Sequence, residues 1–102
     1  MKQLSIVILN WNGKGYLEQF LPSLIQHSQM PDVEIVVADN NSSDDSLEFM
    51  ARVYPQIKVI RLDENYGFSG GYNRALKQLN STYFLLLNSD IEVTPGWLEP
   101  LI

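Results

Sequence analysis

Asn88, Ser89, Asp90 and Glu92 follow directly on five apolar residues, Tyr83 to Leu87, so four oxygen-bearing side chains crowd the end of one apolar run. Hard oxygen donors of this kind suit Mg²⁺ or Mn²⁺, ions that take one or two carboxylates and complete their shells with water and substrate phosphates. The plainer role for Asn88-Ser89-Asp90 is to cap a turn, since Asx turns form at such clusters. Two other apolar runs end in the same fashion. Residues 4–9 lead into Asn10-Trp11-Asn12-Gly13, and residues 33–38 lead into Asp39-Asn40-Asn41-Ser42-Ser43-Asp44-Asp45.

Each cluster needs an element to present it. The runs at 4–9, 33–38 and 83–87 are short, apolar and bounded by turn residues, the signature of strands buried in a parallel sheet. Ile57, Val59, Ile60 and Leu62 form a further strand. Between the strands, Tyr16, Leu17, Phe20, Leu21, Leu24 and Ile25 recur at helical spacing, with Pro22 expected to kink that helix or to make it restart late. Leu47, Met50, Ala51 and Tyr54 mark a second helix, stopped by Pro55. Phe68, Tyr72, Ala75, Leu76 and Leu79 mark a third, with Asn80 as its cap. The order βαβαβαβ with short connections calls for a parallel sheet with right-handed crossovers and flanking helices, a Rossmann-like α/β fold. The run at 83–87 reads as a central strand buried on both faces, which would deliver Asp90 to the carboxyl edge where open α/β sheets bind ligands. Beyond it, Thr94 and Pro95 read as the start of a helix carrying Trp97 and Leu98. A helix opened so close to Ile102 suggests a chain cut from a longer one, leaving an open sheet edge or apolar patch through which copies could self-associate.

Composition narrows the function. The 102 residues, 45% of them hydrophobic, suffice for one domain that buries roughly 65% of its unfolded surface. Twelve acidic against seven basic residues give a net charge of −5 without a run of one sign, which disfavours nucleic acid and anionic membrane surfaces as partners. Without cysteine there is no disulfide, thiolate ligand or thiol nucleophile. No apolar run nears the roughly 20 residues of a membrane span, and the N-terminus lacks a signal-peptide pattern. The lone His27 sits at a helix end, where a solvated cation is the ordinary role. Asn12-Gly13-Lys14-Gly15 fits neither the dinucleotide spacing nor the P-loop spacing. Asp39 could be the phosphoacceptor of a receiver-like signalling domain, but that fold wants an acidic pair after its first strand, and Asn10-Trp11-Asn12 stands there.

Taken in order, Ile6-Val7-Ile8-Leu9-Asn10-Trp11-Asn12-Gly13, Val36-Val37-Ala38-Asp39-Asn40-Asn41-Ser42-Ser43-Asp44-Asp45-Ser46, Asn65-Tyr66-Gly67-Phe68-Ser69-Gly70-Gly71-Tyr72-Asn73-Arg74-Ala75 and Leu86-Leu87-Asn88-Ser89-Asp90-Ile91-Glu92-Val93 resemble four motifs of the family 2 glycosyltransferases. The resemblance covers nearly the whole chain and implies the nucleotide-binding half of a GT-A fold, the acceptor-binding half being absent. It implies a nucleotide-diphosphate sugar donor, UDP-, dTDP- or GDP-linked, and transfer with inversion to a saccharide or lipid-linked acceptor, in the cytoplasm at the inner face of a membrane. The residues so implicated in donor binding are Asn10, Trp11, Asn12, Asp39, Asn41, Gly70, Gly71, Asn73, Asn88, Ser89 and Asp90. Trp11 would stack on the base, Asp39 would accept an imide N–H, Gly70 and Gly71 would let the backbone approach the nucleotide, and Asn73 and Arg74 would point polar groups toward it. Asp90 would hold Mg²⁺ or Mn²⁺ with help from Asn88 or Glu92. Asn88 stands where the family carries the first Asp of Asp-x-Asp, which weakens the metal site and leaves a non-catalytic scaffold of the same fold as an alternative. No catalytic base is assigned within the chain; the family places it beyond the region covered. The 102 residues alone are therefore expected to bind donor weakly, if at all, and to turn nothing over.

Overall fold

The branched, apolar run Leu4–Asn10 has the composition of a strand covered on both faces, and in the computed structural model it is one: β1, the second strand in from one edge of a four-stranded sheet. The structure describes residues 3–89, 93–98 and 100. After β1 come α1 (Lys14–Gln26), β2 (Val33–Asp39), α2 (Ser46–Val53), β3 (Lys58–Arg61), α3 (Gly67–Leu76) and β4 (Tyr83–Asn88). All pairings are parallel and the strand order is β3-β2-β1-β4. Leu4 of β1 lies opposite Val33 and Tyr83, and Leu9 opposite Ala38 and Asn88, so β1, β2 and β4 end level with one another.

Alternation along the strands divides the core into two layers. Leu4, Ile6, Ile8 and Val37 pack with Leu17, Leu21 and Leu24 of α1 and Phe49 and Met50 of α2. Val7, Val36, Ala38 and Ile60 face the other way, onto Tyr72 and Ala75 of α3. Burial of the Val, Leu, Ile, Phe and Met side chains among these stabilises the fold by roughly 1.5 to 3 kcal/mol each. The chain therefore crosses the sheet after β3. Strand order reverses there, and the crevice between the ends of β1 and β4 is the topological switch point.

Four expectations are corrected. β4 is an edge strand: Leu85 and Leu87 pack on the α1–α2 layer, but Phe84 and Leu86 are exposed, because no described element covers the α3-side face of β4, and Tyr83 is exposed at the start of the strand. Thr94 does not start a helix. Its carbonyl accepts the Trp97 N–H at 3.2 Å and Gly96 has φ 75°, the arrangement of a type II turn with Pro95 and Gly96 at its centre. That turn buries Leu98 against the α1–α2 layer and lets Trp97 Nε1 donate to Ser28 Oγ at 2.9 Å. The third helix stops at Leu76, and the N–H groups of Gln78 and Leu79 turn back to the carbonyls three residues earlier, so Asn80 is not its cap. Helix α1 runs from Lys14 to Gln26 with Pro22 inside it, so the helix does not restart at Pro22.

Candidate functional site

Three loops leave the carboxyl ends of β1, β2 and β3, and side-chain amides and hydroxyls bind them to one another. Asn10, the last residue of β1, is fully buried beside Asp39, the last residue of β2, and its Nδ2 donates to Asp39 Oδ1 at 3.0 Å. Asp39 is 1% exposed and also accepts the Ser42 hydroxyl at 2.7 Å on Oδ1 and the Ser42 N–H at 2.9 Å on Oδ2. Asn40, equally buried, joins the second loop to the third: its Nδ2 donates to Asn65 Oδ1 and to the Gly67 carbonyl, both at 3.1 Å, and its Oδ1 accepts the Tyr66 N–H at 3.0 Å. Asp44 Oδ2 accepts the N–H of Lys14, the first residue of α1, and Asp44 Oδ1 accepts the Ser46 N–H and hydroxyl at the start of α2. Burial works to raise the Asp44 carboxyl. The hydrogen bonds from Ser46 and Lys14 outweigh it and hold the group below its ordinary value.

Above this network lies an open cavity of about 410 Å³ at the switch point, lined by Leu9, Trp11, Asn40, Gly67, Asn88 and Ser89 together with Tyr16, Asn65 and Phe68. Trp11 is 55% exposed, so it is no core residue, and Phe68 is 62% exposed. Phe68 meets Tyr72 edge to face at 5.0 Å, and the Tyr72 hydroxyl donates to the Leu87 carbonyl at 2.6 Å, which ties α3 to the end of β4. The largely apolar groove between α2 and β3, about 460 Å³, lies on the opposite edge of the sheet.

Among the residues implicated by sequence, Trp11, Asn88 and Ser89 line the cavity, while Asn10, Asn12 and Asp39 belong to the network beneath and beside it. Asn41 is exposed with φ 64°. Gly71 packs on the sheet: a Cβ there would stand 2.9 Å from Leu9 Cδ1 and 3.0 Å from Asn40 Nδ2. Gly70 lies against Tyr66, Asn73 is exposed farther along α3, and the Arg74 guanidinium stacks 3.7 Å from the Tyr66 ring centre. Asp90, Glu92 and Glu99 lie outside the described residues. Sequence reasoning did not single out Asn40, Tyr16 or Phe68. Asn40 carried a signal, being one of the carboxamides at the end of β2.

Gly13 closes the floor of the site. A Cβ on it would stand 2.5 Å from Asn10 Oδ1, which has no hydrogen-bond partner among the described residues, and 3.2 Å from Ser89 Oγ. Among the described residues no three His, Cys, Asp or Glu side chains gather as a metal cage. The donors that line the cavity at the end of β4 are the Asn88 carboxamide and the Ser89 hydroxyl, both hard oxygens, and Asp90 is next in the chain. That donor set fits Mg²⁺ or Mn²⁺ and not a soft metal.

Comparison with known proteins gives the family and the fold. Residues 5–102 match the family model described as Glycosyl transferase family 2. The chain is 32% identical to the GalNAc(5)-diNAcBac-PP-undecaprenol beta-1,3-glucosyltransferase of Campylobacter jejuni, over 100% of its own length and 34% of the relative's. It is 26% identical to the N-acetylglucosaminyl-diphospho-decaprenol L-rhamnosyltransferase of Mycobacterium tuberculosis, over 97% of its length and 36% of the relative's. The chain thus spans about a third of the curated relatives it matches. Among solved structures, S. aureus TarS 1-349 in complex with UDP-GlcNAc superposes with a TM-score of 0.82 at 28% identity, over 99% of this chain and 30% of that one. The mannosyltransferase PcManGT of Pyrobaculum calidifontis, in complex with GDP-Man and Mn2+, shares the fold at 18% identity and a TM-score of 0.73, over 88% of this chain and 28% of that one.

Proposed function

The chain belongs to glycosyl transferase family 2, and from that premise we propose that the cavity at the ends of β1 and β4 receives a nucleoside diphosphate sugar, whose glycosyl group the whole protein passes to a saccharide or lipid-linked acceptor. The observation that carries this reading is an exposed indole, Trp11, on the wall of a polar cavity at the switch point of a parallel sheet. The base stacks on Trp11, an interaction that contributes roughly 1 to 3 kcal/mol. Asp39 reads a uracil or thymine imide N–H through Oδ2, which takes a single hydrogen bond from Ser42 in the absence of ligand. Uracil is the first base to test, because TarS is seen in complex with UDP and with UDP-GlcNAc.

Asp90 would hold the divalent ion, with Asn88 or Glu92 in support. A bound ion supplies Lewis-acid compensation for the charge that gathers on the departing nucleoside diphosphate. Asn88 contributes a neutral oxygen where a carboxylate would bind more tightly, so this site favours weak metal affinity. Transfer with inversion brings the acceptor hydroxyl to the anomeric carbon from the face opposite the phosphate while a general base takes its proton. None of the site residues named here is given that role. The uncovered face of β4 is the surface through which copies of the chain self-associate.

Calorimetric titration of the whole protein with UDP, GDP and dTDP, in Mn²⁺ and again in EDTA, tests the reading. UDP is expected to bind in Mn²⁺ and more weakly in EDTA, and Trp11→Ala is expected to weaken it by about fivefold to 150-fold. Unchanged UDP affinity in Trp11→Ala, or no binding of any of the three nucleotides, overturns it.

A further inference from the structure

Trp11 is exposed, yet the backbone on both sides of it is tied down. Before it, Asn10 is fully buried and bonded to Asp39. After it, Asn12 takes a left-handed conformation, φ 50°, that asparagine tolerates better than most residues. From there Asn12 meets the β2–α2 loop with main chain and side chain together. Its N–H donates to Ser42 Oγ at 2.9 Å, its Oδ1 accepts the N–H groups of Ser43 at 2.7 Å and Asp44 at 3.1 Å, and its Nδ2 donates to Ser43 Oγ at 3.2 Å. The second loop reciprocates through Asp44, which accepts the Lys14 N–H that Gly13, a cap without a side chain, leaves unpaired.

We infer that Asn12 is a positioning residue that sets the attitude of the Trp11 ring rather than a contact for the nucleotide. This rests on the reading that the base stacks on Trp11. Both ends of the Asn12 amide are engaged by the neighbouring loop, which leaves neither its oxygen nor its nitrogen without a partner. Its contribution to binding is the conformational freedom it has already removed from the loop. A ligand that had to order the ring itself would bind about threefold to tenfold more weakly.

The test places Trp11 as the only indole by replacing Trp97 with Phe, the chain having two tryptophans. Asn12→Gly removes the amide without straining the positive φ, and Asn12→Asp keeps the acceptor oxygens. Time-resolved anisotropy of Trp11 in the free protein and calorimetric Kd for UDP are the two readouts. Asn12→Gly is expected to add fast local motion of the indole and to weaken UDP about threefold to tenfold, while Asn12→Asp stays near the parent in both. In a Trp11→Ala background, Asn12→Gly is expected to change Kd by less than about twofold. An equal loss with and without Trp11, or indole motion untouched by Asn12→Gly, overturns the inference. Failure of the stacking reading looks different: Trp11→Ala leaves UDP affinity unchanged, and the anisotropy alone then decides whether Asn12 fixes the ring.

Discussion

Replacing Gly13 by alanine puts a methyl group 2.5 Å from Asn10 Oδ1 and 3.2 Å from Ser89 Oγ. Gly13 has φ −107°, a value any residue adopts, so the penalty is steric and not conformational. Asn10 cannot yield cheaply, because it is fully buried and bonded to the Asp39 carboxylate. If it stays, overpacking costs about 1 to 3 kcal/mol. If it turns away, losing a hydrogen bond to a charged group costs about 1.5 to 3 kcal/mol. A loss of about 1 to 3 kcal/mol is expected either way, out of a total near 5 to 15 kcal/mol for a domain of this size. Gly15, two residues on, has nothing within 4 Å of its Cβ position and lies in α1, so Gly15→Ala is expected to stabilise by about 0.5 to 1 kcal/mol. Urea unfolding monitored by circular dichroism reads both, with midpoints moving in opposite directions at constant m. In an Asn10→Ala background the Gly13→Ala penalty should shrink below about 1 kcal/mol, since the obstructing oxygen is gone. A Gly13→Ala protein as stable as its parent, or an unchanged penalty without Asn10, refutes the account of this contact.

Three further outcomes are expected. Asp44 is held below its ordinary value, so its contribution to stability is present above the unfolded carboxylate's pKa and is lost as pH falls through the folded value; urea midpoints taken from about pH 5 down to about pH 2 should fall less steeply in Asp44→Asn than in the parent. Asn88→Asp restores a second carboxylate beside the cavity and should tighten Mn²⁺ about tenfold by calorimetry in the presence of UDP, whereas unchanged affinity would remove Asn88 from the metal site. Leu86→Lys, at a side chain 43% exposed, should alter stability by less than about 0.5 kcal/mol yet abolish concentration-dependent association in sedimentation velocity, and a parent that stays monomeric at every concentration counts against self-association through β4.

The elements were legible because their signals are local. Branched runs ending in polar clusters marked β1 and β2, helical spacing of Leu17, Leu21 and Leu24 marked α1, and Pro55 stopped the second helix. The place of β4 was not legible, since Tyr83 to Leu87 reads alike in a central strand and in an edge strand whose outer face is bare. Pro95-Gly96 held the turn signal openly, but Thr94 before Pro95 also matches a helix start, and the positive φ at Gly96 decided between them. At the site, the clusters themselves stood out, while the bonds joining them did not. Asn12 to Ser43 spans 31 residues and Asn40 to Asn65 spans 25, and nothing within either cluster names its partner. The same holds for Gly71, whose neighbours Leu9 and Asn40 come from two other strand ends.

The fabric that joins the three loops is woven from carboxamides, hydroxyls, main-chain groups and the carboxylates of Asp39 and Asp44, which it holds by hydrogen bonds. Among the described residues no ion pair crosses it, and the pair that does occur, Lys14 with Glu18, stays within α1. Dissolved electrolyte screens a bound diphosphate and its counter-ion far more than it loosens short dipolar bonds. Ionic strength therefore acts here on the guest and leaves the seat intact, and the salt dependence of nucleotide affinity becomes a clean gauge of how much charge the guest brings with it.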